Sequence, residues 1–139
     1  MYVDTSILAK FFVRESDSDE WVERASGSFL ASSEIVYAEM LSALLRKEQT
    51  GIISSKEREK SWSEFERQVH ARDIHLIPLD RIIMQSAKRV MLDVYPHVLL
   101  RTLDAIHLAT YLSTIAGPLY TDDRRMRDAA LFLEIPLVA

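Results

Sequence analysis

Five short apolar runs divide this chain, and stretches with helical spacing fill the intervals between them. The runs are Tyr2–Val3, Phe29–Ala31, Ile74–Leu79, Leu119–Thr121 and Ile135–Val138. Each is brief, unalternating and bounded by polar or turn residues, the pattern of strands buried on both faces. Helices that separate such strands supply the cover for both faces. The alternation therefore predicts a three-layer α/β/α sandwich with a mostly parallel central sheet.

The helical intervals carry their own start and stop signals. A first helix is expected over Ser6–Val13. Ser32 or Ser33 can cap a second that continues to Gln49 and stops at Gly51. Ser54 and Glu57 have capping-box spacing, followed by an apolar stripe of Trp62, Phe65 and Val69. Asp80 caps a helix with the stripe Ile83, Ala87, Val90 or Met91, and Val94, which ends before Pro96. Thr102 opens another that ends at Gly117-Pro118, and a last one covers Arg124–Leu133. There is no internal repeat, low-complexity tract or Pro/Gly-rich linker. One domain over residues 1–139 is expected, a length that buries about 68% of the unfolded surface.

Bulk chemistry narrows the function classes. The chain has no cysteine, which removes disulfides, thiolate catalysis and the usual structural zinc sites together. That composition fits the cytoplasm. No apolar run approaches the roughly 18 residues of a membrane span, and no charged segment precedes the first strand, so a secretion signal is not expected. The net charge of -4 runs against a nucleic-acid enzyme, whose footprint is usually basic. Divalent cations bound by carboxylates offset such a charge locally and make it neutral as an argument.

The acidic residues are the candidate chemistry. Asp4 follows the first strand, and Asp122 and Asp123 follow the fourth and precede a helix. Strand ends of an open parallel sheet share one edge, where ligands bind. Glu39 and Asp104 lie on predicted helices among apolar neighbours, where a solitary carboxylate is poorly hydrated. Several carboxylates stay ionised side by side only with a cation, so the set points to a divalent metal. Each member also has a bland explanation. Asp4 can cap the helix after it, or leave that to Thr5 or Ser6; Asp104 sits in a first turn that favours negative charge. Glu39 can be a partly buried, paired group. His107, three residues beyond Asp104, is expected to be a hydrogen-bonded structural residue. Arg124, Arg125 and Arg127 oppose the helix dipole, which leaves phosphate contact or salt bridges to the aspartates as their use.

These residues resemble a known family, the PIN domain. Val3-Asp4-Thr5-Ser6-Ile7-Leu8 is similar to its opening. Glu39 with Leu41 to Leu45 resembles its second acidic motif, and Leu103-Asp104-Ala105-Ile106-His107-Leu108-Ala109 its third. Tyr120-Thr121-Asp122-Asp123, with Met126 and Ala129-Ala130, resembles the fourth, which aligns best on Asp123. Ile135-Pro136-Leu137-Val138 is similar to the last strand, with Glu134 where a glycine is often seen. The resemblance spans essentially the whole chain, and the size is that of the VapC toxins of toxin–antitoxin pairs.

The resemblance implies a metal-dependent endoribonuclease with one or two Mg²⁺ or Mn²⁺ ions. Hard carboxylates in a chain without cysteine favour those ions over zinc. Asp4, Glu39, Asp104 and Asp123 are expected as catalytic metal ligands, direct or through water. Asp122 belongs to the metal set, with Thr121 and Ser6 in support. Arg124, Arg125 and Arg127 are candidate RNA phosphate contacts. An RNA substrate, a cognate VapB-like antitoxin in the active-site groove, a homodimer and no membrane association are the implied partners.

Rival readings are a phosphoacceptor receiver module, an aspartyl-phosphate hydrolase and a catalytically inactive PIN scaffold. The receiver needs an acidic pair after the first strand and a late lysine, but Asp4 stands alone and no lysine follows Lys88. The hydrolase wants a second aspartate where Ser6 stands. A full set of acids argues against the scaffold.

Overall fold

The computed structural model describes residues 1–114 and 117–138. In chain order the elements are β1 (Tyr2–Val3), α1 (Thr5–Lys10), α2 (Ser18–Ala25), β2 (Leu30–Ser33), α3 (Val36–Gln49), α4 (Ser55–His70), β3 (Ile74–Ile77), α5 (Arg81–Val94), α6 (Thr102–Thr114), β4 (Leu119–Tyr120) and α7 (Arg124–Phe132). Four strands form one all-parallel sheet in the order β3-β2-β1-β4. No helix among the described residues is long and apolar enough to cross a membrane.

Successive strand residues enter opposite layers, as the two-residue period of a pleated strand requires. Tyr2, Ala31, Ile77 and Leu119 pack into one apolar cluster with Ile83, Val90, Ile106 and Met126 from α5, α6 and α7. Val3, Ile74 and Tyr120 enter the other, with Ile7, Met40, Leu44 and Phe65 from α1, α3 and α4. Both faces of the sheet are therefore covered, which is why its strands read as continuous apolar runs.

Several expected boundaries moved. β2 takes in Ser32 and Ser33 instead of leaving them as caps, because both are paired in register with Leu76 and Ile77 of β3. Phe29, expected in that strand, is exposed. α3 consequently begins at Val36, and Ser33 Oγ accepts the Ile35 N–H (3.3 Å) just ahead of it. α1 starts at Thr5 with Asp4 itself as N-cap. α2 was not foreseen; only Trp21 and Ser18 of that helix are buried, too few to make a periodic stripe. The expected fifth strand reduces to one parallel bridge between Leu137 and Leu119. The α6 end expected at Gly117-Pro118 abuts residues 115 and 116, which lie outside the described residues.

Other signals coincide with the observed elements. Ser54 and Glu57 form a capping box on α4, and Asp80 accepts the Ile83 N–H at the start of α5. Gly51 follows α3 at a φ of 78°, a left-handed conformation that favours glycine.

Candidate active site

β1 sits between β2 and β4, so the chain leaves it toward one neighbour and returns beside it on the other. The carboxyl ends of strands at such a reversal flank a crevice. Asp4 stands at the end of β1, and Asp122 and Asp123 follow β4. A cleft of about 750 Å³ opens there, lined by all three and by Glu39 and Asp104.

Asp4 is buried and held on every side. Its Oδ1 accepts the Ser6 hydroxyl (2.6 Å) and the Ile7 N–H (3.1 Å), and its Oδ2 accepts the Thr121 hydroxyl (2.5 Å). Burial raises its pKa above the usual carboxylate range, against the opposing effects of His107 and of these hydrogen bonds. The two hydroxyls also join β1 to β4. Thr121 Oγ1 accepts the Asp123 N–H (3.0 Å), and Ser6 Oγ accepts the Asp122 N–H (3.1 Å). The short strands β1 and β4 thus meet the cleft through a fixed hydroxyl lattice.

Glu39 reaches the cleft from the first turn of α3. Its Oε1 accepts the Thr5 hydroxyl (2.8 Å) and lies 2.6 Å from His107 Nε2. A carboxylate acceptor requires a proton on Nε2. His107 Nδ1 is 2.6 Å from the Tyr2 hydroxyl, whose oxygen accepts the Ser33 N–H (3.1 Å). Burial pushes Glu39 upward, but the His107 hydrogen bond and charge, with the Thr5 hydroxyl, leave it below the usual range. His107 is hydrogen-bonded, as expected from the sequence, and its partner is one of the cleft acids.

Asp104 lies in the first turn of α6 and accepts the Arg101 N–H through Oδ2 (3.3 Å). Its pKa is raised, first by burial and then by the charge of Asp123. Asp123 caps α7, with Oδ1 accepting the Met126 N–H (2.9 Å). Asp104 and Asp123 are thus a like-charge pair across the cleft. All the donors are hard oxygens, and this repulsion is what a divalent cation relieves. The donor set fits Mg²⁺ or Mn²⁺ in kind. Among the described residues no three acidic, imidazole or thiol groups stand together as a ready-made ion cage.

Asp122 has another partner. Expected among the metal ligands, its carboxylate is bound by Lys10 Nζ, which also holds Asp17 (2.5 Å) and lies 3.9 Å from Glu15. Arg127, expected at phosphate, donates to the carbonyls of Thr121 (3.1 Å) and Val138 (3.5 Å) and ties β4 to the C-terminal segment. Arg124 is exposed, and Arg125 is half-buried and lowers Asp104 electrostatically. The residues that sequence reasoning missed are Lys10, a lone cation within the apolar run Ile7–Phe12, and Arg46 and Arg101, which also line the cleft. The last two carry no periodic or motif signal that could have marked them.

Comparison with protein families matches residues 1–131 to the PIN domain. The chain belongs to the PIN-domain family. It is also 36% identical over 150 residues to ribonuclease VapC46 of Mycobacterium tuberculosis, across 100% of this chain and 96% of that protein. That identity along both full lengths makes it a PIN domain of the VapC type. Asp4 at the end of β1, Glu39 on α3, Asp104 on α6 and Asp123 at the start of α7 are the acids by which the sequence resembled this family.

Proposed function

We propose that this PIN domain is an endoribonuclease toxin that hydrolyses RNA phosphodiester bonds at a site holding Mg²⁺ or Mn²⁺. The observation that carries the reading is the convergence of Asp4, Glu39, Asp104 and Asp123 on one cleft at the reversal point of the sheet. Full-length similarity to a protein named as a ribonuclease supports the same reaction here.

Asp4, Glu39, Asp104 and Asp123 would hold the ion, directly or through water. When bound, the ion supplies activation of a water and stabilisation of the departing oxyanion. The protein's own groups do the positioning. Ser6 and Thr121 fix both oxygens of Asp4, so its carboxylate keeps one orientation. Thr5 and His107 engage one oxygen of Glu39 and leave the other for the cleft. Asp123 uses one oxygen as a helix cap, which sets its side chain at the strand end. No covalent nucleophile is needed, because water is the attacking group.

A small antitoxin whose segment enters the cleft, and a homodimer, are further parts of this proposal, carried by the VapC resemblance. Purified, partner-free protein should cut total cellular RNA into discrete fragments in Mn²⁺ and none in EDTA. Asp104→Asn should lower cleavage by at least about a hundredfold, the scale of a lost catalytic electrostatic contact, with an unchanged circular dichroism spectrum. Full activity in EDTA or in that variant would remove the metal-site reading.

A further inference from the structure

Lys10 closes α1, the six-residue helix that Asp4 opens, so the two stand about 9 Å apart along its axis. Its side chain is 8% exposed, and it reaches Asp122 and Asp17 at hydrogen-bond distance with Glu15 beside them. A lysine this buried keeps its charge only where carboxylates surround it. Burial lowers its pKa, but the Asp122 and Asp17 hydrogen bonds outweigh that and hold it above the ordinary value. The ammonium thus stands in the wall of the acidic cleft, paired with two carboxylates.

Its connection to the site is continuous. Asp122, the partner of Lys10, donates its N–H to Ser6, whose hydroxyl donates to Asp4. The two adjacent aspartates after β4 are divided in use. Asp123 faces Asp104 with the repulsion that a cation relieves, and Asp122 already has its cation. Hydrolysis of a phosphodiester draws on positive charge at the attacking and leaving oxygens, and two-ion sites supply it with a second metal. An ammonium is a compact point charge that can stand in one of those places.

We propose that Lys10 supplies the second positive charge of this site, so that the cleft binds one divalent cation and Asp122 serves the lysine in place of a metal. This rests on the metal-nuclease reading and concerns how that site is charged. Lys47, which also lines the cleft, is paired with Glu15 (2.7 Å) and braces the acid beside Lys10 from α3.

Electron paramagnetic resonance counts the Mn²⁺ bound per folded chain without reference to activity. Wild type should bind one. Lys10→Met keeps most of the aliphatic stem and removes the charge; it should bind two, because Asp122 becomes available. Lys10→Met with Asp122→Asn should return to one, and Lys10→Arg should stay at one. Should Lys10→Met fail to melt cooperatively, Asp122→Asn alone decides. It should bind Mn²⁺ as wild type does, whereas an affinity loss of roughly tenfold, the scale of a lost metal-site contact, overturns the proposal. Two ions in the wild type, or one in Lys10→Met, overturns it too and leaves the nuclease reading standing. No bound Mn²⁺ in the wild type, with no RNA cleavage, removes both.

Discussion

Tyr2 is the residue through which the core reaches the chemistry. Its ring is buried beside His107 and Tyr111 at edge-on geometry, and its hydroxyl joins the β2 backbone to the imidazole that holds Glu39. Burial raises its pKa, and the charge of Asp4 adds to that, so the hydroxyl stays neutral. Tyr2→Phe keeps the shape and leaves the Ser33 N–H and His107 Nδ1 without their partner. Stability to urea should fall by about 1–3 kcal/mol, the cost of buried polar groups left unsatisfied. Mn²⁺ affinity should fall roughly tenfold, because the group that orients Glu39 has lost its own support. Calorimetric titration of folded Tyr2→Phe with Mn²⁺ checks this; wild-type affinity would show that the ring needs no such anchor.

At the scale of elements, helix N-termini serve two different ends. α4 is capped far from the cleft by Ser54, in a reciprocal box with Glu57. α1 and α7 are capped by Asp4 and Asp123, which line the cleft. Ser54→Ala should cost about 1 kcal/mol in urea unfolding, the usual worth of such a cap, and leave RNA cleavage at the wild-type rate. A change in cleavage would mean that α4 is coupled to the cleft. The sequence marked the α4 cap because its signal is complete within four consecutive residues. It left Asp4 divided between capping and ligation. The structure shows the capping half, with one oxygen taking the Ile7 N–H, and places the side chain in the wall of the cleft.

For the whole molecule, the cleft stores a charge penalty that folding tolerates. Asp104 binds its proton more tightly in the folded chain than in the unfolded one. The native state therefore carries more protons between the ordinary carboxylate pKa, about 3.9, and the raised folded value. Across that window the penalty grows as pH rises; it is absent below it and complete above it. Asp104→Asn should raise the Tm of the metal-free protein at pH 7, by a margin that shrinks as pH falls toward 4. Millimolar Mn²⁺ should raise the wild-type Tm at pH 7 and raise that of the variant less. Thermal melts with and without Mn²⁺ check both, and a variant less stable than wild type at pH 7 would contradict the repulsion. Glu39 has the opposite sign: it is held below its usual range, so its contribution is present at neutral pH and lost as pH falls through the lowered value.

The sequence by itself determined the layers of this protein, its parallel sheet and the acids of its cleft. Those follow from local information: apolar runs of strand length, caps within a few residues, and carboxylates in apolar surroundings that only a strand end or a helix start explains. Tertiary structure alone decided what each charge meets. Asp122 and Lys10 are 112 positions apart, and Glu39 and His107 are 68 apart, so no local pattern could pair them. It also decided the edges of elements, as at Ser32 and Ser33, where ladder hydrogen bonds to β3 outweighed a capping preference of similar size. Hydrophobic spacing is written along the chain, whereas the partner of a charge depends on where the sheet order brings distant strand ends together.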